Sequence, residues 1–212
     1  MRILYGGSHG AARPPVRVLS AGQAAPSVTA SSAVTGIALL DTICSELRIE
    51  ASVDGFAHTV FSQTLAVSGA ALLSVNPSVV PAVWRAVAVA SGSVGLLYAG
   101  ALIEISPPSD PWGFEQHQAA DDRVTQGGIG YSRLLYTARS GNWTFEEIPD
   151  AEVANWRTWY AATAGFRLPF VAEDPLTGAA YLVRAPGAFP LSRQRVSWWG
   201  GKLAVREVLG AP

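Results

Sequence analysis

Apolar and polar residues alternate through Leu47-Arg48-Ile49-Glu50-Ala51-Ser52-Val53 and again over 61–67, a period of two that predicts half-buried strands. Asp54-Gly55 stands between them, and because glycine supplies the positive φ of a tight turn, 47–53 and 56–61 are expected to form a hairpin. Over 82–90 and 97–105 the pattern becomes a continuous apolar run rich in Val and flanked by Gly and Pro, which favours strands of a sandwich core over buried helix. Ser106-Pro107-Pro108-Ser109-Asp110-Pro111 then interrupts regular structure, since consecutive prolines remove backbone donors and restrict the residues before them. Beyond it, 123–125, 131–139 and 143–148 read as a β meander broken at Gly127-Gly128 and at Ser140-Gly141-Asn142.

One segment changes period. From 151 to 164 the residues Val153, Trp156, Trp159, Tyr160 and Thr163 recur every three or four positions, which sets them on one side of a helix. Asp150 is the expected N-cap, Glu152 favours the positive end of the helix dipole, and Gly165 is available to end it. Strands at 168–172, 180–185 and 203–209 follow, with Asp174-Pro175-Leu176-Thr177-Gly178 as a turn between the first two. The expected fold class is mainly β (α+β). Its expected organisation is an extended, Gly- and Pro-rich N-terminal arm over 1–26, a β-sandwich region over 27–110, and a β-rich domain with one helix over 111–212.

Composition narrows the function. Charged residues make up 15% of the 212, below the roughly 25% of ordinary soluble domains, so part of the apolar surface is expected to meet other protein. A formal net charge of −1 removes the electrostatic basis for nucleic-acid binding. Apolar stretches near 79–90 and 94–105 are interrupted by Trp84-Arg85, Gly92, Gly95, Gly100 and Glu104, so no membrane-spanning run is expected, and residues 1–10 break at Gly6-Gly7 rather than forming a secretory signal. Cys44 has no second cysteine to pair with and is expected as a small buried apolar residue.

Catalytic chemistry would need a base beside a nucleophile or convergent carboxylates. His9, His58 and His117 share no motif, and His9 follows Gly-Gly-Ser without the lysine of a phosphate-binding loop, so it is read as part of a flexible terminus. Glu115, Asp121 and Asp122 are read as a solvated loop, and adjacent carboxylates on extended chain point to opposite faces, as do Glu146 and Glu147. No catalytic, metal-binding or cofactor-binding residue is expected, and the protein is read as a non-enzyme. The unusual local feature is Trp198-Trp199-Gly200-Gly201, where two adjacent indoles on a strand face opposite sides. Trp198, Trp199 and Trp112, with Arg193 and Arg195, are the candidate interface residues. Exposed aromatics also stack on sugars, so a carbohydrate-binding β-sandwich for host-surface attachment is the competing reading.

Several blocks carry a resemblance: Gly127-Gly128-Ile129-Gly130-Tyr131 leading into an aromatic strand, the helix over 150–165, Leu168-Pro169-Phe170, Asp174-Pro175 and Thr177-Gly178 ahead of Tyr181-Leu182-Val183-Arg184, and the ending Leu203-Ala204-Val205-Arg206-Glu207-Val208. Together they resemble the distal tail proteins and related minor tail proteins of long, non-contractile-tailed bacteriophages and phage-like gene transfer agents. Trp84-Arg85-Ala86-Val87 and Leu96-Leu97-Tyr98-Ala99-Gly100-Ala101-Leu102 look like the end of a jelly-roll domain found in some tail proteins. The resemblance implies a β-barrel or belt domain with one packed helix plus a jelly-roll-like sandwich. It further implies a structural virion protein of the tail tip or baseplate, whose hexameric ring joins the tail tube protein to the hub and to fibre or receptor-binding proteins.

Overall fold

The computed structural model describes residues 1–9, 17–25, 27–30, 33–75, 83–109, 115–124 and 130–208, with side chains described except at 7–9, 17, 116–124 and 130–138. The described chain begins with β1 (Arg2–His9), β2 (Arg17–Leu19), β3 (Val28–Thr29), β4 (Gly36–Ser52) and β5 (Phe61–Ser74). There follow β6 (Val83–Ala88), β7 (Gly92–Val94), β8 (Leu96–Glu104), β9 (Glu115–Val124) and β10 (Gly130–Pro149). After the helix α1 (Asp150–Ala162) come β11 (Phe170–Glu173), β12 (Ala180–Arg184), β13 (Leu191–Arg195) and β14 (Trp198–Glu207). The fold is mainly β, a single curled antiparallel sheet forming a half-barrel.

Strand β1 sits at the middle of this sheet. It pairs with β8 through Ile3↔Ile103 and with β11 through Ile3↔Ala172, so it joins the strands of the first half of the chain to those of the second. Residues 1–26 are therefore not an arm throughout, and His9 closes β1 rather than belonging to a loose terminus. Neighbouring side chains of a strand point to opposite faces. Here Ile3 and Tyr5 join one apolar cluster and Leu4 another, so this strand is buried on both faces and lacks the alternation that marks a one-sided strand. Arg2 makes a two-pronged charged contact with Glu173 beside the same pairing.

Three apolar clusters follow the curl. The first lies between β4, β5, β6 and their neighbours, with Trp84, Ile49 and Leu39 inside and Cys44 buried among them. The second packs α1 on the sheet: Val153, Trp156, Trp159 and Thr163 are buried as the three- and four-residue spacing predicts. Edge-to-face contacts join Trp156 to Phe145 at 4.6 Å and Trp159 to Phe170 at 4.8 Å. The third fills the inside of the curl with Leu4, Ala38, Leu40, Leu72, Tyr98, Val171 and Leu182. It contains residues from both sides of the proline run, so one core spans the expected boundary near 110.

Several expectations are corrected by tertiary pairing. The hairpin around Asp54-Gly55 exists, but its second strand begins at Phe61, because Ser52 and Asp54 organise 53–60 as a loop. The Ser52 hydroxyl accepts the Phe56 amide and donates to Asp54, which in turn accepts the His58 amide. Ser140-Gly141-Asn142 is no turn. These residues lie within β10, held extended by Ser140↔Arg206, Gly141↔Val205 and Asn142↔Ala204. Glu115, Asp121 and Asp122 belong to β9 rather than to a loop, with Asp121 opposite Arg133.

Helix α1 starts one residue earlier than expected and its N-cap is Pro149, which offers no side-chain cap. Glu152 fills the first turn differently: its carboxylate accepts the Ser106 amide at 2.8 Å, the Ser106 hydroxyl at 2.7 Å and the Trp156 indole at 3.0 Å. At the other end, the Gly165 amide reaches Tyr160 O and the Ala164 amide reaches Ala161 O, a Schellman termination. Ala164 therefore takes the left-handed position, at φ 50°.

Candidate assembly interface

The end of β10, the start of α1 and the β13–β14 hairpin meet at Asp150. Its carboxylate accepts the Trp199 indole N–H at 2.5 Å and Arg193 Nη2 at 3.1 Å. The hydrogen bond from Trp199, with a further contribution from Arg193, outweighs the opposing effect of desolvation and holds the Asp150 carboxyl below its ordinary pKa. The guanidinium of Arg193 also lies 5.7 Å from the centre of the Trp199 ring, and Arg157 lies 6.0 Å from it on the helix side. Asp150, expected as a cap, instead anchors the hairpin to the helix.

The two glycines after the indoles have a steric reason. A Cβ at Gly201 would lie 1.9 Å from the Pro190 carbonyl oxygen, and one at Gly200 would lie 2.9 Å from the Phe145 carbonyl oxygen. Only glycine lets β14 run this close to its flanking backbone. The hairpin then turns through Val196 and Ser197, with Ser197 at φ 67° and its carbonyl accepting the Asp150 amide.

Trp198 and Trp199 part as adjacent strand residues must. Trp199 is half-buried against the helix cluster, whereas Trp198 remains 41% exposed beside Val196 at 87%. Arg195 pairs opposite Trp198 and Arg193 opposite Trp199, so four of the five candidate interface residues share this hairpin. Trp112, the fifth, lies outside the described residues. Val196 completes the exposed apolar tip, and the sequence offered no turn signal there because neither Val196 nor Ser197 is a usual left-handed residue.

A second feature was invisible in the sequence. Ser140 pairs with Glu115 of β9 and with Arg206 of β14, so these strands flank β10 on opposite sides. Ahead of that point β10 pairs with β9 alone. Over 115–124 and 130–139 the two strands form a ribbon that runs past the sheet, with no third strand among the described residues.

A cleft of about 410 Å³ is lined by Asp41, Ser68 and Gly69 of β4 and β5 and by Ala180, Tyr181 and Glu207 of β12 and β14. Arg139 lies 3.8 Å from Glu207 and 5.4 Å from the Tyr181 ring centre, so its charge is already engaged there. Among the described residues no three His, Cys, Asp or Glu side chains gather as a metal site, and no helix is long and apolar enough to cross a membrane. Compared with protein-family models, curated proteins and solved structures, the chain gives no match in any of the three.

Proposed function

We propose that the chain is an architectural component of a phage tail tip, a homo-oligomeric ring protein that links the tail tube to the hub and receptor-binding apparatus. The observation that carries this reading is the β9–β10 ribbon. A two-stranded ribbon in water is marginally stable at best, and exposed strand edges invite pairing, so one that projects from its own sheet is suited to lie on a neighbouring subunit. Closed rings use heterologous contacts, in which such a projection meets a different surface of the next copy.

The Trp198 hairpin supports the same reading, since a tryptophan and arginines around an apolar tip have the composition of an interface centre. The sugar-binding alternative is less well supported, because it needs two or three exposed aromatic faces in one groove. Among the described residues Trp198 is the one exposed indole, and the cleft holds the single aromatic Tyr181. Electron microscopy of the purified chain at high concentration tests the proposal. Closed rings with an open centre are expected, and isolated single subunits at every concentration would refute it.

A further inference from the structure

Among the described residues, the short β3 (Val28–Thr29) and the long β5 are the edge strands without a charged residue. Edge strand β13 presents Arg193 and Arg195, and β9 contains Glu115, Asp121, Asp122 and Arg123. Charged side chains on an edge oppose unwanted pairing. Strand β5 is the long one: among the described residues it hydrogen-bonds to β4 alone, and its fourteen residues, FSQTLAVSGAALLS, include neither a charged residue nor a proline. Ser62, Gln63, Thr64, Ala66 and Ser68 are exposed along it. An edge this long and this unprotected is a template for an added strand.

We infer that the outer edge of β5 receives the β9–β10 ribbon of a second copy of this chain, through the β10 edge at 130–139 that lies on the β14 side. This rests on the ring reading and specifies its contact. Of the ribbon's two strands, β10 is the less charged over this stretch, with Arg133 and Arg139 among GYSRLLYTAR. Its ten residues extend about 33 Å, within the roughly 46 Å of a fourteen-residue strand. The uncharged β5 sets no like charge against Arg133, and Arg139 is already engaged by Glu207 of its own chain. A ribbon on one side and a receptive edge on the other make a head-to-tail contact, which is the kind that closes into a ring.

The test places a benzophenone maleimide on an Ala66→Cys variant of the full chain, Cys44 being buried and shielded from the reagent. Irradiation of a mixture of isotope-labelled and unlabelled protein, followed by peptide mapping, reports contacts between copies. Crosslinks from position 66 to peptides within 130–139 of another copy are expected. A Thr64→Lys/Ala66→Lys variant should in turn fall to the 22.2 kDa monomer with an unchanged melting temperature. Crosslinks from β5 to β5, or no crosslinks between copies in a protein that remains a closed oligomer, would overturn the inference while leaving the ring reading intact. A protein that is monomeric at every concentration would overturn both.

Discussion

Replacing Gly201 by alanine places a methyl group 1.9 Å from the Pro190 carbonyl oxygen and 2.7 Å from its carbon, both of them backbone atoms that no side-chain rotation can clear. Carbon and oxygen ordinarily approach no closer than about 3.3 Å, so β13 must retreat by more than an ångström. Leu191, which pairs opposite Gly201, is 6% exposed and leads the strand into its pairing with β14. Opening that pairing loses roughly two to three hydrogen bonds at about 1 kcal/mol each. Uncovering Leu191 costs a further 1.5–3 kcal/mol or so. The expected destabilisation is about 3.5–6 kcal/mol, which for a slope of about 2 kcal/mol/M lowers the urea midpoint by roughly 2–3 M. Gly178→Ala is the comparison: its added Cβ meets nothing within 4 Å, but the backbone stands at φ +70°, so only the left-handed penalty of about 1–2 kcal/mol applies. Urea unfolding of the two variants and the parent decides the matter. A Gly201→Ala midpoint no lower than that of Gly178→Ala would refute the steric account of the Trp-Trp-Gly-Gly sequence.

Ala164→Gly relieves a left-handed alanine at the end of α1 and should stabilise the protein by about 1 kcal/mol, raising the melting temperature in a thermal scan by roughly 2–4 °C. Trp198→Ser removes an exposed indole, so stability should stay within about 0.5 kcal/mol while sedimentation shows weakened self-association. Glu50 is buried between Arg48 and Arg85. Burial alone would raise its carboxyl pKa, but hydrogen bonds from Arg85 and Arg48 outweigh it and hold the value low. Asp54 is lowered by the Ser52 and His58 hydrogen bonds, and Asp150 by Trp199 and Arg193. A depressed carboxyl contributes stability that is complete above its unfolded pKa, about 4, and lost as pH falls through the folded value. Urea midpoints should therefore drop between pH 5 and pH 2, and Glu50→Gln, destabilising by about 2 kcal/mol at pH 7, should flatten that drop.

Local signals in the sequence located what depends on local physics. The helix stripe of Val153, Trp156 and Trp159 and the apolar strands over 83–88 and 96–104 were legible because period and propensity are set within a few residues. Strand β1 was not, since Gly6 and Gly7 look like breakers and only burial on both faces by Leu4, Ile3 and Tyr5 explains the run. Ser140-Gly141-Asn142 has turn composition, yet cross-strand partners in β14 keep it extended. Of the candidate interface, the Trp-Trp pair stood out by composition. The anchoring of Trp199 on Asp150 could not be read, because it joins residues 49 positions apart. The ribbon was hidden for a similar reason: whether a strand has a third partner is a property of the whole sheet.

The native mass of the purified chain, measured by light scattering over a hundredfold range of concentration, tests the central claim most directly. A closed oligomer whose mass is a fixed multiple of 22.2 kDa, sixfold for the hexameric ring, is the result this account predicts. A mass of 22.2 kDa throughout the series would contradict it.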